Sequence, residues 1–137
     1  MPFKESLTSN LIGIEKEGLR VGRNGVIAQT AHPEGFGSAL KNTSITTDFS
    51  EALLELVTQP LMGADKVLDE LTKIHHYVYQ HLPLGERFWP ASMPCIIRGL
   101  TNIPIANYGT SNLGMMKTVY RRGLSNRYGS VMQSIAG

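Results

Sequence analysis

A chain of 137 residues and 15.1 kDa is long enough to bury a core of its own, hiding roughly two thirds of its unfolded surface. Its 42% hydrophobic and 18% charged residues describe an ordinary globular protein, and a net charge of +2 calls for no polyanionic partner such as nucleic acid. Cys95 is the only cysteine, which excludes an intramolecular disulfide and a cysteine-based zinc site.

Residues 1–10 are polar and read as a loose terminus without the apolar stretch of a secretory signal. Nothing further along approaches the ~20 apolar residues that cross a bilayer, so a cytoplasmic protein without a membrane partner is expected. Over Leu11–Val21 two glycines disfavour a helix, and extended chain is expected. Gly22-Arg-Asn-Gly25 signals a tight turn, because Asn-Gly readily takes positive φ, and Val26–Thr30 should return as a second strand. Residues 31–43 should form a loop with a short helical turn near Gly37–Lys41. Ile45–Thr58 is ambiguous between a helix and a strand feeding a sheet. Val67, Leu71, Ile74 and Val78 recur at spacings of four, three and four, predicting a helix over Ala64–Leu82 that Pro83 ends. Residues 88–107, with Pro90, Pro94 and Pro104, should be extended between turns. Ser111 or Asn112 can cap a helix running to about Tyr128, with Gly129 as its stop, and Val131–Gly137 reads as the start of a further strand. An ending on an incipient strand suggests a truncated chain.

Chemistry resides in acids on apolar frames. Glu15 and Glu17, two apart, would point to one face of a strand, about 6–7 Å apart at ~3.3 Å rise per residue. Glu51 and Glu55, four apart, share a face as helix or as strand; Asp48 joins them only in a helix. Such carboxylates suit magnesium, which takes hard oxygen donors, and Glu55 interrupts the apolar run Leu53–Val57, where an unpaired charge is costly. Tyr120-Arg121-Arg122 and Arg127-Tyr128 make a basic, aromatic patch fitting an anionic substrate better than nucleic acid. Tyr108-Gly-Thr-Ser-Asn-Leu-Gly114 has the form of a glycine-bearing loop entering a helix, without the Gly-Lys-Ser/Thr ending of a P-loop. His75, His76 and His81 share no common helix face, and Cys95 reads as core.

Taken in order, these stretches resemble the proteobacterial glutamate–cysteine ligases from about Gly13 to Gly137. The resemblance is carried by Gly13-Ile-Glu-Lys-Glu-Gly-Leu-Arg20, His32-Pro-Glu-Gly-Phe-Gly-Ser-Ala-Leu40 and Ile45-Thr-Thr-Asp-Phe-Ser-Glu-Ala-Leu-Leu-Glu55. Trp89-Pro-Ala-Ser-Met-Pro-Cys95, Tyr108-Gly-Thr-Ser-Asn112, Tyr120-Arg-Arg-Gly-Leu-Ser-Asn-Arg-Tyr-Gly129 and Met132-Gln-Ser-Ile-Ala-Gly137 complete it. It implies an α+β fold with part of a glutamine-synthetase-like antiparallel sheet and flanking helices, incomplete in this chain, and makes Ile45–Thr58 mostly strand after Asp48. The implied reaction joins glutamate to cysteine with ATP, through an acyl phosphate, with magnesium (or manganese) as cofactor. By the match, Glu15, Glu17, Asp48 and Glu55 occupy metal-ligand positions, with Glu51 a weaker candidate. Arg121 would hold substrate or phosphate oxygens, and Phe49, Tyr120, Leu124 and Gln133 would line the cysteine pocket. The family's enzymes are several times longer. A metal-binding histidine, the arginine that grips glutamate and much of the ATP site lie past Gly137, so residues 11–137 are expected to be the N-terminal part of a catalytic domain, inactive alone. A related ligase with another amine and a non-catalytic binding module are the alternatives, and unpaired strand edges could support self-association.

Overall fold

A computed structural model describes residues 10–134. In chain order the strands are β1 (Leu11–Ile12), β2 (Glu15–Gly22), β3 (Ile45–Thr46), β4 (Leu53–Val57), β5 (Leu61–Met62) and β6 (Glu86–Phe88). Helix α1 (Ala64–His81) follows β5, and α2 (Asn112–Tyr128) comes late in the chain. All pairings are antiparallel: β1 pairs with β5, and a four-stranded sheet runs β3-β4-β2-β6. The architecture is therefore the expected α+β arrangement of antiparallel strands with two helices.

Register divides this sheet. Leu19 lies opposite Leu53, Glu17 opposite Glu55 and Gly18 opposite Leu54. Because successive side chains alternate between faces, Glu15, Glu17, Leu19 and Val21 share one face and Lys16 and Gly18 the other. On the first face Leu19, Val21 and Leu53 join Ile27, Ala52, Cys95 and Ile103 in one buried cluster. On the second, Leu54, Leu56, Ile45 and Phe88 pack against Ile74 and Val78 of α1 and against Phe36. Gly18 lets the second cluster close, since a Cβ there would lie 2.6 Å from the Phe88 ring. The periodic residues predicted for α1 are thus its buried stripe, with Val67, Ile74 and Val78 buried. Cys95 is core, as read from the sequence.

Three local expectations are corrected. Val26–Thr30 forms only isolated bridges, Val21 with Ile27 and Val26 with Ile96. The chain leaves the sheet there because the carbonyls of Thr30 and Ala31 turn inward to accept from Arg20 Nη2, at 2.7 and 3.0 Å. The helical turn lies at Glu34–Phe36, where it buries Phe36, and a hydrogen-bonded turn at Ser38–Asn42 follows it. Ser130–Ser134 is a 3-10 turn, not a strand: after α2 ends at Gly129 the chain turns back tightly, Met132 N–H facing the Gly129 carbonyl at 3.5 Å, and Gln133 is buried. The remainder of that expected strand, 135–137, and the expected loose residues 1–9 lie outside the described residues. Ser111 caps α2, its Oγ accepting from Gly114 N–H at 3.1 Å, and Gly129 ends it.

Arg20 is fully buried. Its Nη1 donates to Glu86 Oε2 at 2.6 Å and to Thr30 Oγ1 at 2.7 Å, while Nη2 also donates to the Glu51 carbonyl at 2.8 Å. Thr30 in turn donates to Glu86 Oε1 at 2.6 Å. One guanidinium thereby ties β2 to β6 and to two loops. Removing one partner of such a pair strands a buried charge, so Glu86→Ala should cost about 3–5 kcal/mol. A urea titration should place its midpoint far below wild type, while Lys66→Ala on the exposed side of α1 should leave the unfolding free energy within about 0.5 kcal/mol of wild type.

Candidate active site

Beyond Leu19 the first sheet face turns acidic. Glu17 faces Glu55 across β2 and β4, Glu15 precedes it on the same side, and Thr46 of β3 lies beyond Glu55. Directly opposed Cβ atoms are ~4.5–5.5 Å apart, a spacing at which like charges repel. Lys16 stands between the glutamates in sequence but points to the other face, its Nζ 4.4 Å from the Phe88 ring centroid, and burial there lowers its pKa. The cation that lies between these acids in sequence is thus withheld from them. Burial first, then the charges of Glu17, Asp48 and Glu15, hold the Glu55 carboxyl above its ordinary range, with Lys117 opposing them. Three of the acids singled out from the sequence thus act electrostatically on the fourth, Glu55.

They do not form a closed cage. Among the described residues no three His, Cys, Asp or Glu side chains converge closely enough to hold a metal ion. Carboxylate oxygens are nonetheless the hard donors magnesium takes, commonly one or two from protein with water and phosphate supplying the rest, a demand the Glu17–Glu55 pair fits. Glu51 does not join this face, against the expectation that it shares one with Glu55. It lies in the turn before β4, where its carboxylate accepts the backbone N–H groups of His32, at 2.5 Å, and of Asn107. Neither a helix nor an unbroken strand spans 45–58.

Arg121 is buried rather than part of an exposed basic patch. Its Nε donates to the Asp48 carbonyl and its Nη2 to Asp48 Oδ1, and its guanidinium carbon lies 4.9 Å from the Tyr108 ring centroid. The Tyr108 hydroxyl donates to the carbonyls of Thr47, at 2.7 Å, and Asp48, at 2.8 Å, and burial pushes its pKa up to about 12. Tyr120 flanks Arg121 on α2 and is exposed, and Leu124 follows one turn later, half-buried. Phe49, next to Asp48, is buried; Gln133 is buried beside α2, its Oε1 3.4 Å from Ser125 Oγ. The basic-patch reading missed this inward turn because helix periodicity does not say which side of an exposed helix meets a loop.

A cavity of about 410 Å³ opens beside Glu17. Its floor is Lys16–Leu19, its wall the Trp89–Pro94 segment, and Val131 and Ser134 close one side. None of Phe49, Tyr120, Leu124 and Gln133 lines it. The Trp89–Pro94 wall carried no site role in the sequence reading, although Trp89-Pro-Ala-Ser-Met-Pro-Cys95 is one of the motifs that carry the family resemblance.

The raised Glu55 pKa has a definite sign. The folded state holds that proton more tightly than the unfolded chain, so stability falls as pH rises through the interval above the ordinary carboxylate value. Glu55→Gln should therefore raise the melting temperature at pH 8 and change it little at pH 4, where both states are largely protonated. Equal shifts at both pH values in scanning calorimetry would remove charge repulsion as the cause.

The glutamate-cysteine ligase family model matches residues 2–137. The chain is 58% identical to a glutamate–cysteine ligase of Bordetella bronchiseptica over 131 residues, covering 96% of this chain and 25% of that protein. It is 50% identical to that of Shewanella oneidensis over 134 residues, 98% of this chain and 25% of the relative. Its fold matches the crystal structure of a Francisella tularensis glutamate–cysteine ligase in complex with AMP, with a TM-score of 0.88 and 46% identity over 93% of this chain and 26% of that one. A bifunctional glutathione synthetase from Pasteurella multocida matches with a TM-score of 0.82 and 33% identity, over 96% of this chain and 17% of that one. The chain thus spans about a quarter of the length of the curated relatives it matches, and by the family model, the identities and the shared fold it belongs to the glutamate–cysteine ligase family.

Proposed function

We propose that this chain supplies part of the active site of an ATP-dependent ligase joining the γ-carboxylate of L-glutamate to the amino group of L-cysteine. The observation that carries the reading is the acidic half of the β2–β4 face, with Glu17 opposed to Glu55 and Lys16 turned to the other face, in a family whose named members are glutamate–cysteine ligases. In the proposed reaction a γ-carboxylate oxygen of glutamate attacks the terminal phosphorus of ATP and ADP leaves. The cysteine nitrogen then attacks the acyl carbon, the carbon–oxygen bond to phosphate breaks, and the amine gives up its proton. The cytoplasm, where ATP and a reduced thiol coexist, is the fitting compartment.

Glu15, Glu17 and Glu55 would hold magnesium or manganese, with Asp48 contributing Oδ2, which has no partner among the described residues. The bound ion would screen phosphate charge and stabilise the charge that develops in phosphoryl transfer. Arg121 has Nε and Nη2 committed to Asp48, so its Nη1 edge would meet a substrate or phosphate oxygen. Phe49, Tyr120, Leu124 and Gln133 would line the cysteine pocket. The remaining contacts to glutamate and ATP would come from parts of the complete protein beyond this chain.

The test is ATP turnover by the product of the complete reading frame that encodes this chain. Phosphate release should require magnesium, glutamate and cysteine together and yield γ-glutamylcysteine. Release with another amine in place of cysteine would redirect the reading to a different ligase, and none at all would sink it. In the same assay Glu17→Gln should lower the rate by roughly 100-fold or more, as removal of a single charge-stabilising group does elsewhere. Wild-type kinetics for that variant would take Glu17 out of the metal shell.

A further inference from the structure

We propose that Glu51 is a positioning residue, holding the Asp48–Arg121 pair in register through Asn107 and Tyr108. Its relevance to catalysis rests on the reading above that Asp48 and Arg121 serve the site. Glu51 is 5% exposed, and both carboxylate oxygens are engaged by main chain: Oε2 by His32 N–H at 2.5 Å and Oε1 by Asn107 N–H. An ionised carboxylate is acceptor-only and can satisfy two donors at once, and charge-assisted bonds of this kind are roughly twice as strong as neutral ones.

The geometry leads from this staple to the pair. Residues 104–106 run antiparallel to 49–51, with a Ser50–Ile105 bridge, Glu51 N–H donating to the Pro104 carbonyl and Ala106 N–H to the Phe49 carbonyl, each at 3.0 Å. Glu51 secures the end of that ladder at Asn107. The next residue, Tyr108, returns its hydroxyl to the carbonyls of Thr47 and Asp48, and the Asp48 carbonyl also accepts from Arg121 Nε. Helix α2 is seated on the same loop: a Cβ at Gly114 would fall 2.4 Å from the Tyr108 carbonyl oxygen. Tyr108 thus holds Asp48 from one side and carries the helix bearing Arg121 on the other. From beneath, the Glu51 carbonyl accepts from the buried Arg20, so the turn cannot drift away from β2. The Glu51 carboxylate itself bonds only to His32 and Asn107 N–H, so Glu51 acts on the pair without belonging to the site.

Glu51→Gln keeps the size but turns one acceptor into a donor facing a backbone N–H, so a single staple survives. The reporter is the Arg121 Nε–H resonance in the 137-residue chain, followed by hydrogen exchange. In Glu51→Gln its exchange should speed up roughly tenfold or more through local opening, while the backbone amides of Leu19, Leu53 and Leu56 keep wild-type rates. Tyr108→Phe, which removes the hydroxyl but keeps the ring, should loosen Arg121 in the same way. Undiminished Arg121 protection in either variant overturns the proposal. So does loss of protection at the sheet amides in step with Arg121, which would make Glu51 a general stabiliser. Because the readout needs no turnover, a failed ligase assay and a failed positioning role are told apart.

Discussion

In the pairing of β2 with β4, Leu19 meets Leu53 and Glu17 meets Glu55, and each side chain's face is fixed by whether its position is odd or even. A slip by one residue would drive Lys16 among the acids and turn Leu19 and Val21 out of their cluster. The register is held by packing on both faces: Leu54 and Leu56 against α1 on one, Leu53 against Ile103 and Cys95 on the other. Acids on the open end of one face are therefore a consequence of how the strand's apolar end is buried. Charge placement and folding are decided by the same alternation.

Much of this was legible from residue order alone. The period of α1, the Ser111 and Gly129 limits of α2 and the shared face of Glu15 and Glu17 follow from local rules that tertiary contacts did not override. The stretch from Ile45 to Thr58 was not legible from periodicity, because Glu51-Ala-Leu-Leu-Glu suits a helix. The strand wins there because Leu53, Leu54 and Leu56 need two buried faces, which only a sheet between two clusters provides. The family likeness supplied what propensity could not, though it left the turn at Glu51–Ala52 unmarked. Glu51 itself could not be read: its partners are main-chain groups 19 and 56 residues away, and no side-chain pattern announces them. The inward turn of Arg121 was hidden for the same reason, since its partner Asp48 is 73 residues distant.

Two buried charges organise the loops. Arg20 gathers Glu86, Thr30 and three carbonyls, and Glu51 gathers two amides, each placing full charge on main-chain dipoles that a loop would otherwise leave to water. They meet at one residue, since Arg20 grips the Glu51 carbonyl while the Glu51 side chain grips the loops. Long irregular segments at 29–44 and 89–111 can then be rigid without strands of their own. Rigidity matters here because the residues read as the site are spread over β2, the 47–50 loop, β4, α2 and the 130–134 turn.

The gathering of carboxylates on half a sheet face also sets what evolution or engineering can do with this domain. Repulsion of Glu55 by Glu17, Asp48 and Glu15 works against the fold, so selection for heat resistance alone would favour a neutral residue at position 55. Such a gain would erode the capacity to meet cations and phosphates. Improved variants of this domain should therefore draw their gains from the α1 side of the sheet, leaving its acidic half as a reserve of free energy that ligands, not mutations, release.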